Sequence, residues 1–263
     1  MIPRACAALA CVTLAGCFAV ATPPEERSDF ERHQLAAAAA LERVTDPALS
    51  EDDQLAFARK AVGHADLAIE LEPERVEGHF YRAVGMGYVF ERSNLSAVGR
   101  VGDLEQAALR ARELDPRFSN GGPLLYLAML YWKSPAWPAG PENAGEDEVI
   151  EPLFEGAIEV APTDPENHLR YAEHFFDRGR NDDAAVEVRK AREVLPGAQG
   201  HPEHELRQLE RELVALEKSS RVARRRALGR STVLARARRA ADPPGPAAAK
   251  PRARSRPRSR RAR

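Results

Sequence analysis

The stretch YAEHFFDRGRNDDAAVEVRKAREVLP, residues 171–196, decides the fold. It opens on an apolar–small–x2–aromatic pattern, Tyr171, Ala172 and Phe175. It continues with Ala184, Val188 and Ala191 at helical steps, and it closes on Pro196. A proline cannot continue a helix, so Pro196 marks a stop. The physical logic is a helical hairpin. Ala172 and Ala191 let two antiparallel helices approach closely, and Phe175 fills the gap to the neighbouring hairpin.

Working outward, the closing hexapeptide Ala-x-Glu-[Leu/Val]-x-Pro recurs. It ends at Pro73 after Ala68, at Pro116 after Ala111, at Pro162 after Ala157 and at Pro196 after Ala191. Each copy ends a run of helical periodicity, such as Leu55, Ala58, Val62, Ala65 and Ile69. The opening pattern recurs as Val84-Gly85-x2-Tyr88 and Leu127-Ala128-x2-Tyr131. The first hairpin is the least marked, with a leading helix expected over Leu35–Val44 and no aromatic. Gly85 reads as a helix-packing glycine, because Gly85-Met86-Gly87 lacks the third glycine and the preceding strand of a dinucleotide loop.

Together these motifs resemble the tetratricopeptide repeat, which pairs a Leu-Gly-x2-Tyr helix with an Ala-rich helix ending in Pro. The resemblance implies an all-α, tetratricopeptide-like helical-hairpin solenoid of about four hairpins. Gly85, Tyr88, Ala128, Tyr131, Ala172, Phe175 and Ala191 become its repeat-packing residues. Leu206, Leu209, Leu213 and Leu216 step 3-4-3, so a final helix to about Lys218 is expected to cap the stack. The span from the small residue to Pro is 24 residues in the last copy, 31 from Gly85 to Pro116 and 34 from Ala128 to Pro162. The extra length falls in Arg92–Gly102 and Lys133–Asp147, both between the helices of a hairpin. Equivalent loops of a solenoid emerge along one edge, and loops longer than the fold requires often carry function.

Asn120-Gly121-Gly122-Pro123, the run Leu130 to Pro138 and the helix Asn167 to Glu173 resemble the periplasmic T component of TRAP-type solute transporters. The resemblance covers about Asp66 to Val194. It implies a helical-repeat lipoprotein that contacts a periplasmic solute-binding receptor.

The N-terminus supplies the expected anchor. Arg4, a short apolar run and Leu14-Ala15-Gly16-Cys17 describe a secretory signal over residues 1–16. Leu-Ala-Gly-Cys resembles the lipobox of bacterial lipoproteins, which implies lipidation at Cys17. A plain cleaved signal or an uncleaved anchor are the alternatives. All three cysteines lie in the first 17 residues, so cleavage there leaves no pair for a disulfide. The expected organisation is then a linker over residues 17–34, a repeat domain over 35–218 and a basic tail over 219–263, mostly disordered from Asp242. Residues 17–217 carry a net charge of −18 and residues 218–263 a net charge of +16. Outside the cytoplasm no nucleic-acid partner is expected for that tail. Anionic lipid, the acidic body of the chain and a shifted reading frame are its three readings.

No nucleophile elbow, P-loop or paired Cys-x2-Cys appears, and no catalysis, cofactor or metal is expected. His201-Pro202-Glu203-His204 reads as a surface histidine pair, and Glu173-His174 as adjacent helical residues pointing apart. Tyr81, Tyr126, Trp132 and Trp137 are the candidate partner-binding aromatics, with Trp132 and Trp137 also able to pin their loop to the scaffold. The expectation is a non-enzymatic, lipid-anchored interaction scaffold at the outer membrane facing the periplasm, with an envelope protein as partner. A small hydrophobic ligand binder and an envelope assembly or secretion scaffold are the rivals.

Overall fold

In the computed structural model, the described residues are 27–92, 101–135, 140–199, 201 and 203–241, with side chains described to residue 222. Cys17, Trp137, the tips of both long connections and the segment from Asp242 lie outside them. Every regular element among the described residues is helical. The order is α1 (Asp29–Val44), α2 (Glu51–Leu71), α3 (Val76–Arg92), α4 (Val101–Leu114), α5 (Phe118–Lys133), α6 (Asp147–Val160), α7 (Pro165–Asp177), α8 (Asn181–Val194) and α9 (Glu203–Ala241). No helix among the described residues is long and apolar enough to cross a membrane.

The four prolines do what their chemistry requires. α2, α4, α6 and α8 each end two residues before Pro73, Pro116, Pro162 and Pro196. A residue preceding proline is pushed out of the α region. Glu72 and Ala161 sit accordingly at φ −138°, ψ 82° and φ −136°, ψ 77°. The last stop is softer: Leu195 stays helical and a 3-10 turn runs from Leu195 to Gly197. The start of α1 is earlier than the periodicity suggests. Ser28 and Glu31 form a reciprocal capping box, and Phe30 is buried, so the helix begins at Asp29 rather than Leu35 and does hold an aromatic.

Each helix packs on the next in sequence, from α1 on α2 to α8 on α9, and α1, α3, α5, α7 and α9 also touch in series. This gives four hairpins, α1–α2 to α7–α8, with the odd-numbered helices forming an inner layer. The core is largely alanine. Ala58, Ala61, Ala65 and Ala68 of α2 are fully buried, as are Ala111, Ala128 and Ala157. Side chains this small bring helix axes close. At Gly85, a Cβ would meet Val62 Cγ2 at 2.9 Å, so that glycine sets the approach of α3 to α2. Ala172, Val188 and Ala191 form one buried cluster with Leu209, Leu213 and Leu216 of α9. The leucine stripe thus covers the open end of the stack. α9 does not end at Lys218 but continues to Ala241, because Ala, Leu and Arg are all strong helix formers.

Candidate functional site

The concave side of the inner layer holds a groove of about 550 Å³, lined by α1, α3, α5, α7 and the start of α9. That volume lies within the range of ligand-sized clefts. Its floor is the Asn120 motif. Ser119, Asn120 and Gly121 take left-handed conformations in succession, with φ of 49°, 58° and 82°. For Ser and Asn this costs on the order of 1 kcal/mol each, so neighbouring contacts must hold the turn in place. They do. The Asn167 side-chain amide donates to Asn120 O and Ala157 O, both at 3.1 Å, and Asn167 is itself buried. At Gly121 a Cβ would lie 3.1 Å from Ala157 Cα, and at Gly122 it would lie 2.7 Å from the Phe80 ring. The two glycines therefore allow α5 to pass between α3 and α6.

Beside this turn three chain segments meet. Asn120 Nδ2 donates to Asp164 Oδ2 at 2.8 Å, and His201 Nε2 lies 3.1 Å from the same oxygen. Asp164 Oδ1 caps α7 by accepting from the Glu166 N–H at 2.9 Å. His201 Nδ1 faces Glu205 Oε2 at 3.6 Å. Hydrogen bonding to Asp164 and Glu205 pushes the His201 imidazole up to about 10, so it is a cation at neutral pH. Burial works to raise the Asp164 carboxyl, yet His201, the Glu166 N–H and Asn120 hold it below the usual range. The surface histidine pair expected from the sequence is instead a stitch. His201 is largely buried, and His204 Nε2 lies 3.3 Å from Thr45 Oγ1 at the end of α1. The last helix so reaches back to the first hairpin and spans the groove.

The groove walls are aromatic. Phe80 and Tyr81 of α3 meet Phe118 edge-on at 5.5 and 5.9 Å. Tyr126 donates its hydroxyl to Ala83 O at 2.8 Å, which removes that hydroxyl from recognition and leaves the ring as wall. Burial raises the pKa of both Tyr126 and Tyr81, and pushes Tyr88 up to about 12, so all three stay neutral. Tyr88, expected as a repeat-packing residue, also lines the groove. It is half-buried on the groove wall with Arg92 over its ring at 5.0 Å. Carboxylates rim the groove: Glu42, Glu91, Glu166 and Glu205 all line it. Arg170 at the adjoining recess is already held by Glu166, Glu173 and Glu212. Glu91 pairs likewise with Arg92 and Glu205 with His201, so the arrangement offers ring faces and a partly neutralised carboxylate rim, features that attract an organic cation.

Other described aromatics pack against the core. Tyr131 is buried and donates to Glu105 Oε1 at 2.8 Å, and Phe175 is buried beneath Arg180, 4.2 Å from its ring centroid. Trp132 is part-buried and meets His174 and Phe154 edge-on at 5.6 and 6.2 Å, so its ring packs on the core at the foot of the Lys133–Asp147 connection. Sequence reasoning placed Tyr81 and Tyr126 among recognition residues and missed Thr45, Asp164 and His201. Nothing local in the sequence marks which loop ends turn inward.

No family profile matches the chain, and no curated protein matches it. Several solved structures do. One is the crystal structure of a thermophilic TPR protein from Thermus thermophilus, at 17% identity and a TM-score of 0.45, over 70% of this chain and 92% of that one. The chain folds as an all-α helical-hairpin solenoid with a capping helix.

Proposed function

We propose that the protein is a non-enzymatic recognition scaffold whose inner groove takes a basic segment of an envelope protein. The observation that carries this reading is convergence. Three segments distant in sequence, the Asn120 turn, Asp164 and His201, meet in one concave site between aromatic walls and a carboxylate rim. Buried polar groups in a strained turn are costly, and such strain collects at sites of function. The acidic body, at −18 over residues 17–217, steers a cationic partner toward that site.

The finer assignment rests on the sequence. Leu14-Ala15-Gly16-Cys17 supports attachment to the outer membrane through a lipid on Cys17, facing the periplasm. The Asn120-Gly121-Gly122-Pro123 and Leu130–Pro138 motifs support a T-component role, in which the partner is a solute-binding receptor. That one of these motifs forms the groove floor favours recognition in the groove over recognition on the loop edge. In-cell photo-crosslinking tests this. A photoreactive residue at Tyr88 is expected to capture a periplasmic solute-binding protein, and the same residue at Val186, exposed on α8, is not. Equal capture from both positions would contradict groove recognition.

A second reading has its own support. The His204–Thr45 contact partly closes the groove, and a volume of about 550 Å³ suits a small amphipathic molecule. Native mass spectrometry of protein taken from its own membrane fraction distinguishes the two, since this reading expects a stoichiometric small adduct.

A further inference from the structure

A second cluster stands apart from the groove, where the connection Lys133–Asp147 enters α6. Asp147 and Glu151 lie one turn apart on α6, and His174 of α7 faces them. His174 Nε2 is 3.6 Å from Asp147 Oδ1 and 4.0 Å from Glu151 Oε1. None of the three lines the groove.

The telling feature is what these atoms lack. The His174 side chain is 0% exposed, and neither of its ring nitrogens has a hydrogen-bond partner. Asp147 Oδ1 is also buried, 2.7 Å from the Arg178 guanidinium, which donates as well to Gly145 O. One of the three atoms aimed at a common point, His174 Nε2, is thus orphaned. Buried polar atoms left unpaired are costly, and an unfilled ion site is one standing explanation.

We propose that Asp147, Glu151 and His174 form a binding site for a borderline divalent cation such as Zn2+. The geometry suits it. Zn–N and Zn–O bonds of about 2.0–2.2 Å in a tetrahedron place neighbouring ligand atoms about 3.4 Å apart. His174 Nε2 lies 3.6 and 4.0 Å from the two carboxylate oxygens, and all three ligand atoms lie within 4.8 Å of one another, somewhat wider than that spacing. Asp147 and Glu151 remain partly exposed, so an ion has a route in, and a water completes the fourth position.

Local charge selects the ion. Arg178 flanks Asp147, and Arg180 Nη1 lies 2.6 Å from Glu151 Oε1, so the two carboxylates are already neutralised. A hard cation such as Mg2+ or Ca2+ is held mainly by net negative charge and several oxygens, which this site does not provide. An ion that bonds strongly to imidazole tolerates the arginines, which then act as the outer shell of the carboxylates. Bound there, the ion ties the first turn of α6 to α7 beneath Trp132, which meets His174 edge-on. It fixes the foot of the long connection to the next hairpin.

The test is calorimetric titration of the chelator-treated full chain with Zn2+, paired with thermal melts. The wild type is expected to bind one ion at this site and to melt higher with Zn2+ present. His174→Gln removes this ion and the shift. Asp147→Asn, at a partly exposed position, weakens it by at least about tenfold while keeping the fold. His64 Nδ1 on α2 lies 3.0 Å from His33 Nδ1 on α1, and His64→Gln and His201→Gln retain the ion, which separates the site from these other histidines. The N-terminal cysteines cannot imitate this dependence on His174 and Asp147. Absence of Zn2+-dependent stabilisation, Zn2+ binding unchanged in Asp147→Asn, or saturation by Mg2+ in the same concentration range would each overturn the proposal.

Discussion

His201 Nε2 lies 3.1 Å from Asp164 Oδ2, which joins the capping helix to the N-cap of α7 across 37 residues of chain. Asp164 also receives the Asn120 amide. One carboxylate therefore holds together the capping helix, the last hairpin and the left-handed turn that floors the groove.

This pair makes stability depend on pH with a defined sign. The folded His201 pKa, about 10, lies above the unfolded value near 6.5. Its contribution is full below about pH 6.5 and is lost as pH rises through about 10. Asp164 is lowered, so its contribution holds above its unfolded value near 3.9 and is lost as pH falls through the folded one. His201→Gln is expected to lower the melting temperature most between about pH 5 and 6.5, and least at pH 11. A melting difference independent of pH would show that His201 contributes by packing alone.

Helix packing gives a second expectation. Ala172 and Ala191 are both fully buried in the last hairpin, where added volume has nowhere to go. Ala172→Leu should cost about 1–3 kcal/mol in chemical denaturation. Arg180 is unsuitable as a neutral control, since it pairs with Glu151 and Asp183 and covers Phe175. Arg189→Gln on exposed α8 should cost under about 0.5 kcal/mol. Equal losses in the two variants would sink the packing assignment.

Gly121 tests the groove floor. Its φ of 82° and the Ala157 backbone 3.1 Å from a would-be Cβ are separate penalties. Gly121→Ala should destabilise by about 1–3 kcal/mol, adding the left-handed cost to overpacking. A neutral result in denaturant melts would mean that the turn relaxes freely.

Anchoring is tested at Cys17. Cys17→Ser is expected to move the protein from the membrane fraction to the soluble envelope fraction. Retention on membranes after a high-salt wash would point to an anchor other than the lipid.

Much of the fold was legible because it rests on local chemistry. The prolines at 73, 116, 162 and 196 mark four helix ends, and Ala172, Ala191 and Leu213 sit where their spacing puts them. The inner site was legible only in part. Tyr81 and Tyr126 were recognisable as candidates by residue type, and the Asn120 motif by its glycines. Asp164 and His201 carried no local sign, since their meaning arises when α9 folds back over the stack. His174 escaped for a similar reason: its carboxylates lie 23 and 27 residues earlier, on another helix, while the neighbour Glu173 points elsewhere.

The central claim, recognition of a basic segment in the groove, is tested most directly by the affinity of the captured envelope protein for a charge-reversed rim. Glu91 is exposed at the groove edge and Glu193 is exposed on α8, so both reversals should leave the melting temperature nearly unchanged. Calorimetry is expected to show Glu91→Lys weakening binding by about tenfold, roughly 1.4 kcal/mol, with Glu193→Lys close to wild type. Equal affinities for wild type and Glu91→Lys would contradict the account.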